Sequence, residues 1–113
     1  MSEDLETQID VRPAGTVVRL KGHAAVNSGK MLELTLTRLC ATRPNLVVMD
    51  LSELQMVASL VIGQLVSLKK SLSRHGGKLR LAAVPPLVMT SLTHTRMDSV
   101  FECFPTVDEA LKV

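Results

Sequence analysis

Three histidines, two cysteines, one serine in an apolar run and a cluster of lysines and arginines are where this 113-residue chain has chemistry to offer. His23, His75 and His94 would activate a hydroxyl such as Ser59 only if an acid oriented one of them and a tight turn exposed the serine. The segment Val57-Ala58-Ser59-Leu60-Val61 is not a Gly-x-Ser-x-Gly elbow, and no carboxylate is spaced to serve a particular histidine. No enzyme and no cofactor are expected. Cys40 and Cys103 lack C-x-x-C or Cys/His spacing, which gives no zinc site and predicts two buried, reduced thiols. Lys69, Lys70, Arg74, Lys78 and Arg80 are close enough in sequence to form a patch for an acidic partner or a nucleotide phosphate. Their plainer reading is the wet face of an amphipathic helix, and Gly76-Gly77 reads as a helix stop, not a phosphate cradle.

The totals narrow the partners. With two Phe and no Tyr or Trp the chain has no platform for stacking single-stranded bases, and a net charge of +2 is too small for a polyanion. No direct nucleic-acid binding is expected. The sequence opens Met1-Ser2-Glu3-Asp4, acidic where a signal peptide would be basic and apolar. The most apolar stretch, Met56 to Leu68, is shorter than the roughly 18–20 residues of a membrane span. A cytoplasmic protein without membrane insertion is the expectation.

The elements that must position these residues alternate. Gln8 to Arg12 reads as a strand, Pro13-Ala14-Gly15 as a turn, and Thr16 to Lys21 as the antiparallel return. Asn27 or Ser28 caps a helix to about Thr42, with Leu32, Leu36, Leu39 and Cys40 on one stripe. Leu46 to Met49 has the continuous apolar run of a central strand. Ser59 to Arg74 is the clearest helix, with Val61, Leu65, Leu68 and Leu72 as its apolar face and Ser59 itself a natural N-cap. Lys78 to Val84 is a strand, Pro85-Pro86 opens a short helix, Val100-Phe101 is a last short strand, and Thr106 with Glu109 forms a capping box. Five methionines, Met31, Met49, Met56, Met89 and Met97, are expected to fill core gaps, Met56 doubling as an adaptable contact. The sum is one α/β domain over residues 1–113. It is a single-layer mixed sheet, an antiparallel N-terminal hairpin with the rest mainly parallel, carrying about four helices.

Three segments, in order and at matching spacing, resemble the STAS domain family, and within it the anti-sigma factor antagonists. They are Met49-Asp50-Leu51-Ser52-Glu53-Leu54, similar to the family's Asp-Leu-Ser strand end before the loop to the second helix; His75-Gly76-Gly77-Lys78-Leu79, similar to its Gly-Gly hinge; and the stretch from Leu92 to Leu111. That last stretch is similar to the family's Leu-x-x-Thr-Gly-Leu-Asp-x-Val-Phe and Phe-Pro-x-x-x-Glu-Ala-Leu ending. The resemblance implies a non-enzymatic protein-interaction module that binds a serine kinase acting as an anti-sigma factor. It implies too that the kinase releases itself by phosphorylating a serine at the start of the second helix, here Ser59. The expected contact region runs from Gln55 to Gly63 and includes Met56, Val57, Ala58, Ser59 and Leu60.

Two of the family's motifs are altered. Its Asp-Ser-Ser/Thr-Gly loop stands here as Ala58-Ser59-Leu60-Val61, and its Gly-Glu-Leu-Asp as Gly22-His23-Ala24-Ala25, so carboxylates are missing from both. That leaves three readings: a partner switch controlled at Ser59, a phosphorylation-independent STAS subunit of a lipid-type ABC transporter, or a nucleotide-binding regulator.

Overall fold

The computed structural model describes residues 5–112; Met1–Asp4 and Val113, the ends of the expected 1–113 domain, lie outside them. Strands β1 (Leu5–Arg12) and β2 (Gly15–Ala24) form a hairpin whose turn is Pro13-Ala14, in unbroken register from Leu5↔Gly22 to Arg12↔Gly15. Strand β3 (Leu46–Val57) lies parallel to β2, β4 (Lys78–Ala82) parallel to β3, and β5 (Glu102–Phe104) parallel to β4. The sheet order is therefore β1-β2-β3-β4-β5, as short right-handed crossovers favour.

Helices α1 (Gly29–Ala41), α2 (Ser59–Ser73) and α3 (Pro86–His94) bury their leucine and valine stripes with the inward side chains of the strands. Leu32, Leu36, Leu65, Leu68, Leu72, Val88 and Leu92 join Val18, Leu20, Val47, Met49, Leu79 and Leu81 in one aliphatic cluster. The short α4 (Val107–Leu111) covers part of the opposite face, setting Ala110 and Leu111 on Val17, Val48 and Ala82. Burial on both faces is what makes Leu46 to Met49 continuously apolar. Thr106 caps α4, its Oγ1 accepting from the Glu109 amide at 3.1 Å. Gly77 ends α2 at a point where an added Cβ would lie 2.6 Å from the Pro44 carbonyl oxygen.

Several expectations need correction. The first strand starts at Leu5 instead of Gln8, and the last covers Glu102–Phe104, because Phe101 turns into the core just before it. Cys103 is exposed and Cys40 half-buried, so neither is the buried thiol expected; both are free. Burial raises the Cys40 thiol pKa, and burial followed by the nearby Asp98 charge raises that of Cys103, which keeps both protonated. Met49 fills the core as expected, but Met31 and Met56 are exposed.

The largest correction is in β3. The strand was expected to end at Asp50-Leu51-Ser52 and give way to a loop, but it runs on to Val57. The register passes from Arg19↔Asp50 to Lys21↔Glu53, and from Gly22↔Leu54 to His23↔Met56, so β3 gains a residue on β2 twice. Each gain is a β-bulge, the second beside Gly22 at φ 103. The bulges convert a two-residue alternation into a three-residue one, and Leu51, Leu54 and Val57 all point inward. Asp50 fixes the first bulge. Its Oδ1 accepts the Ser52 amide at 3.0 Å and its Oδ2 accepts Arg19 Nε from β2 at 3.1 Å. Burial pushes this carboxyl up, but the Ser52 amide and hydroxyl and the Arg19 guanidinium outweigh it and hold the pKa below the usual carboxylate range.

Candidate functional site

The extended β3 delivers the chain straight into α2. Ala58 is the only residue between them; its amide donates to the Ala24 carbonyl at 2.8 Å, tying the helix start to the end of β2. Ala58, with extended backbone, is the N-cap, and its carbonyl accepts from the Val61 and Ile62 amides at 2.9 and 3.1 Å. Ser59 is thus the first helical residue and not the cap that its type suggested; no side chain caps this helix and no acid lies in its first turn. The Ser59 and Leu60 amides stand at the open, positive end of the α2 dipole.

The expected contact residues divide. Gln55, Met56, Ser59, Leu60 and Gly63 are exposed, Leu60 to 51%. Ala58 is half-buried, and Val57, 8% exposed, packs into the core and supports the surface from beneath. Ser59, Leu60 and Gly63 border an open groove of about 740 Å³ between α1 and α2. Its walls also hold Thr37 and Cys40 from α1, and Gln64 and Ser67 from α2, which the sequence reading did not assign to a contact surface. Gly63 has nothing within 4 Å of an added Cβ, so the groove is open along that side. Near its mouth Gln64 Nε2 donates to the Gly29 carbonyl at 2.7 Å, while Gln64 Oε1 is buried without a partner. An added Cβ on Gly29 would come within 3.1 Å of Leu60 Cδ2, which marks how closely the two helix starts approach. A glycine at the head of a leucine-striped helix was the one available signal.

The basic residues do not gather. Lys69 donates to the Val100 carbonyl. Arg80 lies on the α4 side of the sheet, donating to the Ala110 and Lys112 carbonyls at 2.9 and 2.7 Å, with its guanidinium 5.2 Å from the centre of the Phe104 ring. His75 Nε2 meets the Pro44 carbonyl oxygen at 2.7 Å, a structural contact beside the Gly76-Gly77 turn. His23 lies in β2, and among the described residues no group of His, Cys, Asp and Glu is arranged to hold a metal. No described helix is long and apolar enough to cross a membrane.

The same architecture is found in solved structures. An anti-sigma factor antagonist from Mycobacterium paratuberculosis superimposes with a TM-score of 0.88 at 23% identity, over 98% of this chain and 94% of that one. The anti-sigma factor antagonist SpoIIAA in its unphosphorylated form gives 0.81 at 15% identity, covering 94% and 93%, and the Bacillus protein is also known in a phosphorylated form. A sulfate transporter family protein from Wolinella succinogenes gives 0.74 at 16% identity, over 90% and 85%. At such identities the likeness is one of fold. No curated protein matches the sequence. The STAS domain profile, however, matches residues 5–110, and with the sheet order and helix placement above it leads to one conclusion: this chain belongs to the STAS domain family.

Proposed function

We propose that this chain is a protein-docking module of the anti-sigma factor antagonist kind. Its partner-facing surface is the start of α2, and its partner is a serine kinase that acts as an anti-sigma factor. The observation that carries the reading is the exposure of Met56, Ser59 and Leu60 where β3 runs into α2, with Ser59 and Leu60 bordering the α1–α2 groove. Adaptable apolar side chains around one small polar group suit a contact that excludes water. A phosphoryl group on Ser59 would bring roughly −1.5 to −2 charges into that contact. The Ser59 and Leu60 amides would hold it at the helix start without disturbing the helix. Docking and phosphorylation would then compete for one place.

A second reading has its own support. The missing acids before α2 and at the end of β2 remove what a kinase would read, and a solved structure of similar fold comes from a transporter family. In this reading the same surface binds a transporter subunit, of the lipid-type ABC kind, constitutively.

Affinity capture with wild type and Ser59→Glu, with bound proteins identified by mass spectrometry, separates them. A serine kinase held by wild type and lost by the variant supports the switch. Transporter subunits held by both forms support the constitutive adaptor. Binding of either partner that survives Leu60→Asp unchanged would remove this surface from both readings.

A further inference from the structure

Strand β1 ends the sheet on one side, and its outer edge has the features of a pairing surface. It is eight residues long, keeps an unbroken register with β2, and contains no Pro, Gly or Lys to blunt it. The opposite edge, β5, has three residues. Because Arg12 and Gly15 flank a two-residue turn, they exchange both hydrogen bonds of the hairpin's last pair. Alternation along an antiparallel ladder then turns the amides and carbonyls of Glu6, Gln8, Asp10 and Arg12 toward β2, and those of Thr7, Ile9 and Val11 outward. Ile9 and Val11 are exposed to 46% and 78%, on the side of the sheet that carries α1. Beside them, Met31 of α1, 69% exposed, lines a depression with Leu5 and Thr7.

We infer that β1 pairs antiparallel with β1 of a second copy of this chain, joining two sheets across a two-fold axis at Ile9. The charges select this register. Centred on Ile9, the ladder sets Glu6 opposite Arg12 of the second copy, Arg12 opposite its Glu6, and Gln8 opposite its Asp10. Thr7 and Val11 supply the outward hydrogen-bonding pairs with each other, and Ile9 packs on Ile9. A slip of two residues in one direction puts Asp10 opposite Glu6, and in the other direction opposite its own copy; both juxtapose like charges. Slips of one residue oppose outward-facing amides to inward-facing ones and leave the edges unbonded. Within the monomer Arg12 already meets Asp10 at 2.7 Å, so the approaching Glu6 completes an acid–base–acid cluster at each end of the interface.

Sedimentation equilibrium of the full chain tests this. The wild type should show a concentration-dependent monomer–dimer equilibrium. Glu6→Arg and Arg12→Glu should each weaken it by about tenfold, since each turns two opposite-charge pairs into like-charge pairs. The double variant, which restores both pairs with their signs exchanged, should recover most of the loss. All these side chains are exposed, and thermal melts monitored by circular dichroism should stay close to wild type. Hydrogen exchange of the wild type supplies an independent reading: the Thr7, Ile9 and Val11 amides should gain protection as concentration rises, while those of Gln8 and Asp10 are protected throughout. A chain that stays monomeric over the whole concentration range overturns the inference. So does a dimer indifferent to either single variant, or one that the double variant fails to restore.

Discussion

Asp50, 3% exposed, ties stability to pH through one carboxylate. Its folded pKa lies below the ordinary value because the Ser52 amide and hydroxyl and Arg19 outweigh the cost of burial. Across the interval between the folded and unfolded values the unfolded chain binds the proton and the folded chain does not. The stabilisation is therefore complete above the ordinary carboxylate range, about pH 4, and is lost as pH falls through the folded value. Asp50→Asn should remove that part of the acid dependence and cost about 1–3 kcal/mol at neutral pH, read from urea melts across pH. Equal acid slopes in the two proteins would place the dependence elsewhere. Arg96 makes a second case. It stands at φ 60, where the similar family segment Thr-Gly-Leu-Asp has its glycine. Arg96→Gly should stabilise the domain by about 1 kcal/mol, because the left-handed backbone strains a residue with a Cβ. A lower melting temperature for the variant would contradict that account.

Helix α2 carries a core face and a docking face, and the two separate by substitution. Leu65 and Leu68, 2% and 3% exposed, lie at the heart of the aliphatic cluster. An aspartate at either buries a charge without a partner and should unfold the domain, while Leu65→Ala should cost about 2–5 kcal/mol. Leu60→Asp should keep the wild-type melting curve and abolish partner capture. If Leu60→Asp also unfolds the protein, the residue belongs to the core and not to a docking surface. The 3.6-residue repeat of Val61, Leu65, Leu68 and Leu72 made this helix legible from sequence alone, and the Pro13-Ala14 turn did the same for the first hairpin. Strand β3 beyond the Asp50-Leu51-Ser52 strand end was not legible. Strand recognition depends on a two-residue alternation, and the paired bulges replace it with the spacing of Leu51, Leu54 and Val57, which reads as neither strand nor helix. Ser59 was misjudged as a cap for the same reason: the strand runs so far that Ala58 takes the capping position.

At the scale of the whole molecule, the order of elements and the division into two apolar clusters follow from which segments are apolar on one face and which on both. The groove is different. It is built from α1 and α2 across a sequence gap, and only Ser59, Leu60 and Gly63 among its residues had been assigned to a contact surface beforehand. The basic patch, the sharper alternative to a wet helix face, does not form for the opposite reason: its residues are neighbours in sequence, but Lys69 and Arg80 stand on opposite sides of the sheet. Proximity along the chain is a poor guide where a strand changes face at every residue. A charge-removal pair at Lys69 and Lys70 should accordingly leave calorimetric titrations with ATP and GTP as flat as those of the wild type. Saturable heat with the wild type, abolished in the pair, would revive a nucleotide site.

The two surplus residues of β3 also bear on how such a domain changes over generations. A substitution near Ser59 alters what a partner meets, while a deletion at a bulge leaves that surface in its place. Losing Gln55 would set Met56 directly after Leu54 with its pairing to His23 kept, so Val57 stays inward beside Ala24 and the helix start stays tied to the Ala24 carbonyl. Lineages that lose this codon would therefore keep their partner, and a change of partner would come from base exchanges around Ser59 itself.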